Sequence, residues 1–405
     1  MRKWLVIIGL FLAWPMAWAQ SDSLRLGFTV RGMVVDATSG IPLESVHVSI
    51  PGRNQATVTN ADGYFVIKSD QPIGWVRCSY MGYRSKVVKA DGNLRITLLR
   101  ENLQLPEATI IAGNPKEIVL AAVSRIWDTY CTRPQLLECF YRETLKKRNR
   151  YTYVAEAVAR IYKATYDGTV SADAAALDKS RVLVSQRRSD TLSVKTQGGP
   201  TTAIVMDLVK NSGILFNRED LDLYQYELLP TTFIGDRPQL VVKMSPFALV
   251  DYALYNCTVY IDLELLTFTR VEASLDMEDR AKATRMMLVS KPFSLRFFPE
   301  ESSVVINYRL EDGFSRMEYF RSTMRFGCDW RKRLFRTRYT AVNELVVTDI
   351  RPEATPIPRR ERFSSKDFLP DVAPQFYDPD FWADYNIIEP SVSLEHAVDR
   401  LRRGR

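Results

Sequence analysis

Between Gly32 and Tyr83, short runs of alternating apolar and polar residues are separated by turn-forming residues. Val46, Val48 and Ile50 alternate along one run, and the same spacing recurs in the run that begins at Tyr64. A period of two residues, bounded by Gly, Pro, Asn and Asp, is typical of strands, because successive side chains of a strand point to opposite faces. The pattern therefore predicts a small antiparallel β-sandwich.

Seven runs of this kind predict seven strands, near residues 28–36, 44–50, 55–59, 64–68, 75–81, 84–88 and 94–100. The expected core consists of apolar positions on these strands: Val34, Val46, Val48, Phe65, Ile67, Val76, Ile96 and Leu98. Gly63 ends the turn that starts at Asn60, where a tight hairpin turn needs a positive φ that glycine adopts without a Cβ clash. We therefore expect substitution of Gly63 by Val to destabilise the sandwich.

The order and spacing of these signals resemble the carboxypeptidase-regulatory-like domain, a seven-stranded β-sandwich of the prealbumin type. The resemblance covers about residues 27–100 and rests on five motifs: Gly32-x-Val34-x-Asp36, Gly40-x-Pro42-Leu43, Val46-x-Val48-x-Ile50, Asp62-Gly63-x-Phe65 and Ser79-Tyr80-x-Gly82-Tyr83. In that family the domain often stands at the front of envelope proteins of Bacteroidota-type bacteria, including outer-membrane receptors. The resemblance implies a folding and interaction domain without peptidase activity.

A second region begins after the break at Gly113-Asn114-Pro115. Before the break, Leu105–Ala112 is a β-prone extension, similar to the short strand that trails the domain in its family. After it, Asn114 is suited to cap a helix and Pro115 to occupy its first position. One broad helical stripe follows: Ile118, Val119, Ala122, Val123, Ile126, Trp127 and Tyr130. This stripe predicts a helix that packs on the second domain.

From Phe140 onward the pattern returns to strands. The first expected strand starts at residue 140. The other expected strands lie near residues 151–166, 181–185, 224–234, 239–244, 254–262, 266–276, 284–290, 302–310, 314–325 and 334–349. Asp167–Lys179 predicts a polar loop. A helix capped by Thr201 or Thr202 is expected from four apolar positions: Ile204, Val205, Leu208 and Val209. The region thus predicts a mostly β, antiparallel domain with two helices.

The stretch from Tyr260 to Arg270 predicts a hairpin whose first strand ends in Ile-Asp and whose second ends in Arg. It is similar to a hairpin in the lipoprotein-carrier (LolA-like) half-barrels. That resemblance implies a curved antiparallel sheet with helices across its concave face and an apolar cavity. The alternative is a plain antiparallel sheet with one helix-covered face. Only the curved sheet leaves room for a ligand.

The last segment, Arg351–Arg405, contains seven prolines, which forbid a continuous helix or a central strand. Five aromatic residues lie between Phe376 and Tyr385. We expect this tail to wrap the domain and to place its rings in surface grooves, with docking to a partner as the alternative. A terminal helix over Ser391–Arg403 is expected, with Leu394, Val398 and Leu401 on one side.

The amino terminus has the form of a cleavable signal peptide. A positive start at Arg2 and Lys3 precedes the apolar stretch Leu5–Trp14 and the cleavage pattern Ala17-Trp18-Ala19. The apolar stretch is too short for a membrane span. We therefore expect export to the periplasm, with association with the outer membrane. The predicted organisation is a signal peptide, a sandwich, a linker, a β-rich domain with helices, and the tail: residues 1–19, 27–101, 102–115, 116–350 and 351–405.

Composition and charge limit the classes of molecule that we expect the protein to bind. The chain has 405 residues, 46% of them hydrophobic and 25% charged, which are ordinary globular values. The formal charge of +7 falls to about +5 once Arg2 and Lys3 are removed. Basic clusters at Arg142–Arg150 and Arg331–Arg338 favour solvated strand faces over contact with anionic lipid or acidic polymers. No nucleic acid partner is expected, because no recognition motif is present.

The five cysteines are Cys78, Cys131, Cys139, Cys257 and Cys328. An oxidising compartment permits disulfides, but the odd number leaves at least one thiol unpaired within the chain. Cys131 and Cys139 are near enough in sequence to bridge if the turn at Pro134 brings them together. Buried free thiols are the alternative.

The sequence predicts no catalytic residue, no cofactor and no metal ligand. His47 and His396 are the only histidines, and they lack the spacing of a zinc site. His47 is expected to point outward from the sandwich. No nucleophile elbow, phosphate-binding loop or dinucleotide motif is present. Four carboxylates near the end of a predicted strand are expected to form a solvated face: Glu272, Asp276, Glu278 and Asp279.

We therefore expect a non-catalytic exported envelope protein. In this interpretation the sandwich contacts an envelope or outer-membrane partner, and the larger domain binds an apolar ligand, such as a lipid, or a polypeptide. Two alternatives remain open at this point. One is a structural scaffold without a small-molecule ligand, and the other is a hydrolase of envelope glycans or peptides with a carboxylate pair.

Overall fold

The structure is a computed structural model of the chain. It describes residues 27–101, 114–166, 172–187, 190, 198–248, 250–288, 293–311, 313–330, 336–351, 353–374 and 381–403. The predicted signal peptide at 1–19 and the predicted β-extension at 105–112 lie outside the described residues. Within these ranges no helix is both long enough and apolar enough to span a bilayer.

The amino-terminal region is a β-sandwich of seven strands. The strands are β1 (Phe28–Asp36), β2 (His47–Ser49), β3 (Ala56–Val58), β4 (Tyr64–Ser69), β5 (Trp75–Ser79), β6 (Lys86–Lys89) and β7 (Asn93–Leu98). One sheet has the order β4-β1-β7 and the other the order β3-β2-β5-β6. All pairs are antiparallel except β1 with β7, which is parallel. All eight predicted core residues are buried between the sheets, so the predicted sandwich is confirmed.

Gly63 has the positive φ that the turn prediction requires, at 76°. Its amide donates to the carbonyl of Asn60 at 2.9 Å, which closes the turn. A Cβ at this position would lie 2.6 Å from the carbonyl oxygen of Val34, so both the backbone conformation and the space favour glycine.

The second region is built on one antiparallel sheet of ten strands. They are β8 (Gln135–Lys147), β9 (Arg150–Lys163), β10 (Ala174–Val184), β11 (Tyr224–Ile234), β12 (Arg237–Pro246), β13 (Tyr255–Asp262), β14 (Phe268–Leu275), β15 (Leu295–Glu311), β16 (Phe314–Trp330) and β17 (Thr337–Arg351). Their order is β10-β9-β8-β17-β16-β15-β14-β13-β12-β11, so β10 and β11 form the two edges and the sheet does not close. The prediction of a mainly β chain with a larger antiparallel sheet is confirmed.

Short helices cover one face of this sheet, which we call the inner face. They are α1 (Pro115–Ser124), α2 (Ile126–Thr129), α3 (Thr201–Val205) and two 3-10 helices, Ser212–Ile214 and Asp220–Leu223. The segment from β10 to β11 must cross from one edge of the sheet to the other, and it carries α3 and both 3-10 helices. Its apolar side chains pack on buried residues of the sheet, such as Tyr141 and Phe268, and form the main core.

The cap of α1 follows the prediction, whereas its length does not. The Asn114 side chain accepts a hydrogen bond from the Lys116 amide at 3.0 Å, and Pro115 begins the helix. The helix ends at Ser124, Arg125 caps it, and the chain restarts as α2 at Ile126. Trp127 was expected on the buried stripe, but the restart leaves it 66% exposed.

Two predicted segments were wrong in type. The polar loop expected at 167–179 gives way to β10 from Ala174 onward, because its alanines are buried and pair with β9. The strand expected at 284–290 overlaps α4 (Arg280–Met287). The Asp279 carboxylate, expected on a solvated loop, accepts from the amides of Ala281 and Lys282 and caps this helix.

The helix expected after Pro200 is shorter than its apolar pattern suggested. Neither Thr201 nor Thr202 is its cap, since both lie inside α3. The Thr201 hydroxyl instead donates to the carbonyl of Gly198 at 2.5 Å. Ile204 is buried as expected, whereas Val205 is 46% exposed because α3 ends there.

The sandwich and the tail lie against the opposite, outer face of the ten-stranded sheet. The tail includes a 3-10 helix (Arg359–Glu361), α5 (Leu369–Val372) and α6 (Val392–Arg402). Phe381 and Trp382 pack with Phe140 of β8 and Val346 of β17, together with Val58 of the sandwich. Phe376, another predicted anchor, lies outside the described residues. Both faces of the sheet are therefore covered, the inner one by helices and the outer one by the sandwich and tail.

Candidate functional site

A cavity lies between the sandwich and the outer face of the large sheet. Its volume is about 320 Å³. We call it the interdomain cleft. One wall comes from β2, β5 and the turn after β5, and the other from the β11–β12 hairpin, β14, β15 and β16. Ligand sites occur preferentially at domain junctions, so this cleft is the default candidate for a binding site.

Contacts on two sides of the cleft hold its walls together. On one side the Gly82 amide donates to the Phe233 carbonyl at 2.9 Å, and Arg77 pairs with Asp236 at 2.8 Å. On the other side, Glu44 of the sandwich pairs with Arg321 of β16, also at 2.8 Å. The cleft is thus spanned at both ends and does not depend on a single contact.

His47 and Glu318 meet across the cleft. The Nε2 atom of His47 lies 2.6 Å from Oε1 of Glu318, and both side chains are only 14% exposed. The contact is therefore a close pairing of an imidazole nitrogen with a carboxylate oxygen at the junction of the sandwich and the sheet. Burial would raise the pKa of Glu318, but His47, Arg309 and Arg316 outweigh it and hold the pKa below its ordinary value.

A β-bulge explains why Glu318 faces the cleft. The register between β15 and β16 shifts between Asn307 and Tyr308, and Glu318 is the extra residue without a partner on β15. A second bulge, in the β13–β14 hairpin, leaves Thr269 as the extra residue, and Thr269 also lines the cleft. Bulges re-aim side chains and are frequent beside functional sites.

Four arginines line the cleft, and each is oriented by a neighbouring carboxylate: Arg77 by Asp236, Arg237 by Asp262, Arg270 by Glu272 and Arg309 by Glu311. Asp262 is fully buried and also accepts from the amides of Glu264 and Leu265. Burial opposes its charge, but these donors and Arg237 lower its pKa. The hairpin that the sequence singled out thus lies at the cleft, with Asp262 fixing Arg237 and with Arg270 in the wall.

Neutral polar groups complete the lining. The Thr269 hydroxyl donates to Oε1 of buried Gln239 at 2.5 Å, and the Arg270 guanidinium donates to Oδ1 of Asn307 at 2.7 Å. Ser49 and Ser79 also contribute to the wall. The cleft therefore offers mainly hydrogen-bond donors and acceptors, together with the partly apolar surfaces of Tyr80 and neighbouring side chains.

The tail ties the sandwich to the large sheet. Asn386 accepts from the Lys68 amide at 2.7 Å and donates to the Lys68 carbonyl at 2.9 Å, in the manner of a β-ladder. Trp382 donates to Glu156 at 3.1 Å, and Arg142 and Arg181 flank that carboxylate. Burial opposes the charge of Glu156, but the two arginines lower its pKa to about 2. The tail is thus anchored on both bodies.

A second charged cluster lies inside the main core. Lys163 is 2.6 Å from Asp207 and 3.1 Å from Asp173, and Lys210 is 2.6 Å from Asp173. The Tyr308 hydroxyl donates to Asp207 at 2.8 Å. Desolvation lowers the pKa of Lys163, but the two aspartates more than compensate and raise it. Two cations meet two anions here without an opening to solvent. The cluster therefore links the segment between β10 and β11, which we call the crossover segment, to the sheet.

Glu143 is a buried carboxyl group on the inner face of β8. It is 1% exposed, and it accepts a hydrogen bond from the Tyr141 hydroxyl at 3.0 Å. Burial raises its pKa to about 7 despite the donation by Tyr141 and Tyr153. Because core side chains enclose it, Glu143 is not placed to act on a substrate as a general acid or base.

The remaining sequence candidates lie apart. His47 points away from the sandwich core, as expected, but its side chain is largely buried against the large sheet instead of facing solvent. His396 is exposed on α6. Among the residues that the structure describes, no group of three His, Cys, Asp or Glu side chains is arranged to hold a metal ion. Glu272 is not on a loop but on β14, paired with Arg270.

All five cysteines are free thiols, so Cys131 and Cys139 do not form the bridge that their spacing in sequence allowed. Cys139 points into the core from β8, whereas Cys131 precedes the strand in a partly exposed turn. Burial raises the pKa of the Cys78 and Cys328 thiols to about 12, and the partly buried Cys131 is shifted in the same direction. Thiols with such pKa values are poor nucleophiles at neutral pH.

Sequence reasoning did not identify the cleft residues as a group. They come from distant strands, and two of them are bulge residues whose orientation depends on register. One usable signal was present. Charged and amide side chains alternate with core residues in Arg270-x-Glu272 and in Asn307-x-Arg309, which marks an outer face that is polar but not fully exposed.

Comparison with known proteins identifies the amino-terminal region only. Residues 30–110 match the family model described as the CarboxypepD_reg-like domain, which confirms the resemblance found in the sequence. No curated protein matches the chain.

Solved structures that match are distant. A DUF1329 family protein from Desulfovibrio piger is 9% identical with a TM-score of 0.24, and the match covers 59% of this chain and 93% of that one. A LolA superfamily protein from Nitrosomonas europaea is 11% identical with a TM-score of 0.19, covering 62% and 97%. A protein of unknown function from Bacteroides fragilis is 8% identical with a TM-score of 0.14, covering 80% and 97%. At these scores the matches carry no argument about function.

Proposed function

We propose that the protein is a non-catalytic, exported envelope protein that binds a polypeptide partner in the interdomain cleft. The observation that carries this proposal is the cleft itself. It has a volume of about 320 Å³, and its two walls come from separate bodies. Contacts at both ends and the tail hold those bodies together. A preformed cavity of this kind binds a partner without the cost of ordering its own walls.

The lining favours a polypeptide over an apolar ligand. Amide, hydroxyl and guanidinium groups match the donors and acceptors of a peptide backbone and its polar side chains. The inner face, where a half-barrel carrier would hold its ligand, is occupied by the crossover segment and its buried side chains, including Leu208 and Phe216. An apolar ligand would have to displace this packed core, which costs about 1.5 to 3 kcal/mol for each large side chain exposed.

A binding role agrees with the chemistry of the described residues. The thiols have raised pKa values, Glu143 is enclosed, and His47 is paired with a carboxylate and not with a nucleophile. Export rests on the predicted signal peptide, and the domain boundaries remain those expected from the sequence. The sandwich supplies half of the binding site in this proposal, which suits a domain type that acts through contact.

A peptide-display selection on the immobilised full-length chain tests the proposal. We expect selected peptides to lose binding to the variant Ser79→Trp, which fills the cleft from β5. The matched control is Ser124→Trp, at an exposed position on the far side of the sheet. It should bind the same peptides as the unchanged chain. Equal melting temperatures of the two variants show that the added ring has not unfolded either one.

Three outcomes would overturn the proposal. Peptides that bind the Ser79→Trp variant as tightly as the unchanged chain would place their site elsewhere. Stoichiometric lipid recovered by extraction and mass spectrometry, with no enriched peptide, would favour an apolar ligand. A selection that enriches nothing, together with no recovered lipid, would support the structural scaffold instead.

A further inference from the structure

We infer that one end of the large sheet binds the surface of an anionic lipid bilayer. This end, which we call the basic rim, combines the β8–β9 hairpin turn, the chain after β10, the end of β16 and the starts of β15 and β17. Its described residues are 146–151, 184–187, 190, 293–301, 325–330 and 336–339. The rim is separate from the cleft, so this binding is independent of the proposed peptide ligand.

Strand pairing brings the two basic stretches of the sequence together at this end. β17 pairs with both β16 and β8, and the Arg148 amide donates to the Arg338 carbonyl at 2.8 Å. The chain after β10 joins them, because the Ser185 amide donates to the Thr152 carbonyl at 2.7 Å. Each stretch alone predicted a solvated strand face, whereas together they form one continuous surface.

The rim carries a net positive charge after all of its carboxylates are counted. Its nine basic residues are Lys146, Lys147, Arg148, Arg150, Arg187, Arg296, Arg325, Arg336 and Arg338. Its four acidic residues are Asp190, Glu300, Glu301 and Asp329, which leaves a formal charge of +5.

The elements that flank the rim do not cancel this charge. They are α4 with the turn before it (residues 276–287), the tail residues 366–371 beside β9, and α6 with Arg403. Together they contain seven basic and seven acidic residues, so their formal charges balance. The excess of +5 on the rim therefore remains.

The rim has too few carboxylates to pair with all of its cations. Two of them are each shared by two cations, at 2.6 to 4.0 Å: Asp190 by Lys147 and Arg150, and Glu300 by Arg336 and Arg338. Lys146, Arg148 and Arg187 form no ion pair with a carboxylate of the described residues, and both arginines are exposed. Such an excess of accessible cations attracts an anionic membrane surface.

An exposed aromatic ring lies among these charges. Phe293, just before β15, is 88% exposed. Met286 of α4, a helix that packs on β15, is 45% exposed. Large apolar side chains beside basic ones suit the headgroup region of a bilayer, where the ring enters the apolar boundary and the cations stay at the phosphates. A soluble acidic polymer would leave the Phe293 ring in water, so a lipid surface fits the rim better.

The rim and the cleft lie at opposite ends of the same strands. On β15 the rim ends at residue 301, whereas the cleft is lined by residues 307–310. At about 3.3 Å per residue, the two are about 20 Å apart along the strand. A bilayer at the rim therefore leaves the cleft open.

Vesicle flotation of the full-length chain, at a series of lipid concentrations, tests this binding. One set of vesicles contains equal amounts of phosphatidylglycerol and phosphatidylcholine, and the other contains phosphatidylcholine alone. We expect at least about tenfold tighter binding to the anionic vesicles, and that binding should weaken as salt is raised.

Two variants locate the binding on the rim. The double variant Arg148→Gln/Arg187→Gln removes two exposed cations that have no carboxylate partner among the described residues, and it should lose about tenfold or more of the affinity. Phe293→Ser removes the exposed ring and should weaken binding severalfold while the charge is unchanged.

The matched control is Arg359→Gln/Arg360→Gln, which lowers the net charge by the same amount. These residues lie on the 3-10 helix of the tail, whose Glu361 pairs with Arg160 near the opposite end of β9. The control should bind anionic vesicles like the unchanged chain.

Four results would contradict the inference. They are equal affinity for the two kinds of vesicle, no binding to either, equal losses in the two double variants, and binding to soluble polyphosphate without binding to vesicles. The last result would assign the rim to an acidic polymer. Ser79→Trp, whose cleft is filled, should bind vesicles like the unchanged chain, so failure of the cleft proposal would leave this test intact.

Discussion

Charged side chains are enclosed on one face of the large sheet and line a cavity on the other. On the inner face, Lys163 and Lys210 meet Asp173 and Asp207 in a closed cluster without solvent access. On the outer face, arginines such as Arg309 pair with neighbouring carboxylates and line a cavity. Enclosed ion pairs hold a fold together, whereas charged groups that line a cavity are accessible to a ligand.

The same contrast applies to packing. The inner face is covered by the chain that must cross from β10 to β11, and its apolar residues fill the space above the sheet. The outer face is covered by the sandwich, whose own sheets are separate from the large sheet, and a cavity remains between the two surfaces. The position of the candidate site follows from this difference. The sequence-derived half-barrel hypothesis placed a ligand on the inner face, whereas the packing places the cavity on the outer one.

The largest expected effect is a loss of stability when the buried charged cluster of the inner face is broken. Asp207→Ala leaves Lys163 without its nearest anion in the core, and we expect a loss of about 3 to 5 kcal/mol in the free energy of unfolding. Asp236→Ala removes an exposed partner of a cleft arginine and should cost less than about 1 kcal/mol. Urea unfolding followed by circular dichroism measures both. Equal losses of unfolding free energy in Asp207→Ala and Asp236→Ala would contradict the difference that we describe between the charged groups of the two faces.

The next largest expected effect is a loss of stability of the sandwich alone. Gly63→Val forces a β-branched residue to a φ of 76° and places its Cβ 2.6 Å from the Val34 carbonyl. We expect a cost of about 3 kcal/mol. Gly40→Val is the matched control, because Gly40 also has a positive φ, at 70°, but no atom of the described residues lies within 4 Å of the added Cβ. Its cost should be smaller. An unchanged melting temperature for Gly63→Val would contradict the turn geometry.

A third effect depends on pH and reports on the inner face. The folded pKa of Glu143, about 7, lies above its ordinary value of 4.5, so folding takes up a proton between these limits. Stability from this group is therefore full below about pH 4.5 and is lost as pH rises through 7. Glu143→Gln keeps an acceptor for Tyr141 and removes the ionisation.

We expect Glu143→Gln to be more stable than the unchanged chain by about 2 to 3 kcal/mol at pH 8.5, with little difference at pH 4.5. Melting temperatures across this pH range measure the effect. Glu264→Gln, at an exposed carboxylate, is the control and should show no such trend. A constant difference between Glu143→Gln and the unchanged chain at all pH values would contradict the enclosed environment of Glu143.

The smallest effect concerns the attachment of the sandwich. Asn386→Ala removes two hydrogen bonds to the backbone of Lys68 and should cost about 1 to 2 kcal/mol. Because these bonds join the tail to the sandwich, we expect faster proteolysis of the tail before any change in the core of the large sheet. His396→Ala, at an exposed position on α6, serves as the control. Simultaneous loss of both regions would show that they unfold as one unit.

Local sequence patterns predicted the elements whose apolar and polar side chains alternate regularly. They failed where a helix cap or pairing with a distant strand determined the structure. The seven sandwich strands and the Tyr260–Arg270 hairpin have alternating apolar positions and clear turns. The helix α4 has only one buried residue, Ala283, so no apolar stripe announced it, although Asp279 was available as a cap signal. β10 begins with small alanines whose burial depends on pairing with β9.

Local sequence patterns could not predict the candidate site, and the reason is physical. It forms only when two bodies meet, and the contact between His47 and Glu318 joins residues far apart in the chain. The orientation of Glu318 depends further on a bulge in the register of β15 and β16. A sequence read locally shows which strand positions are polar, but not which of them come to face one another.

The location of the binding site is the central claim, and hydrogen–deuterium exchange tests it most directly. The full-length chain would be measured alone and when saturated with a peptide from the display selection. We predict that exchange slows in β2, β5 and the β11–β12 hairpin and stays unchanged in α1, α2 and α3. Slower exchange in those inner helices, with none at the cleft strands, would place the ligand on the inner face and contradict the account.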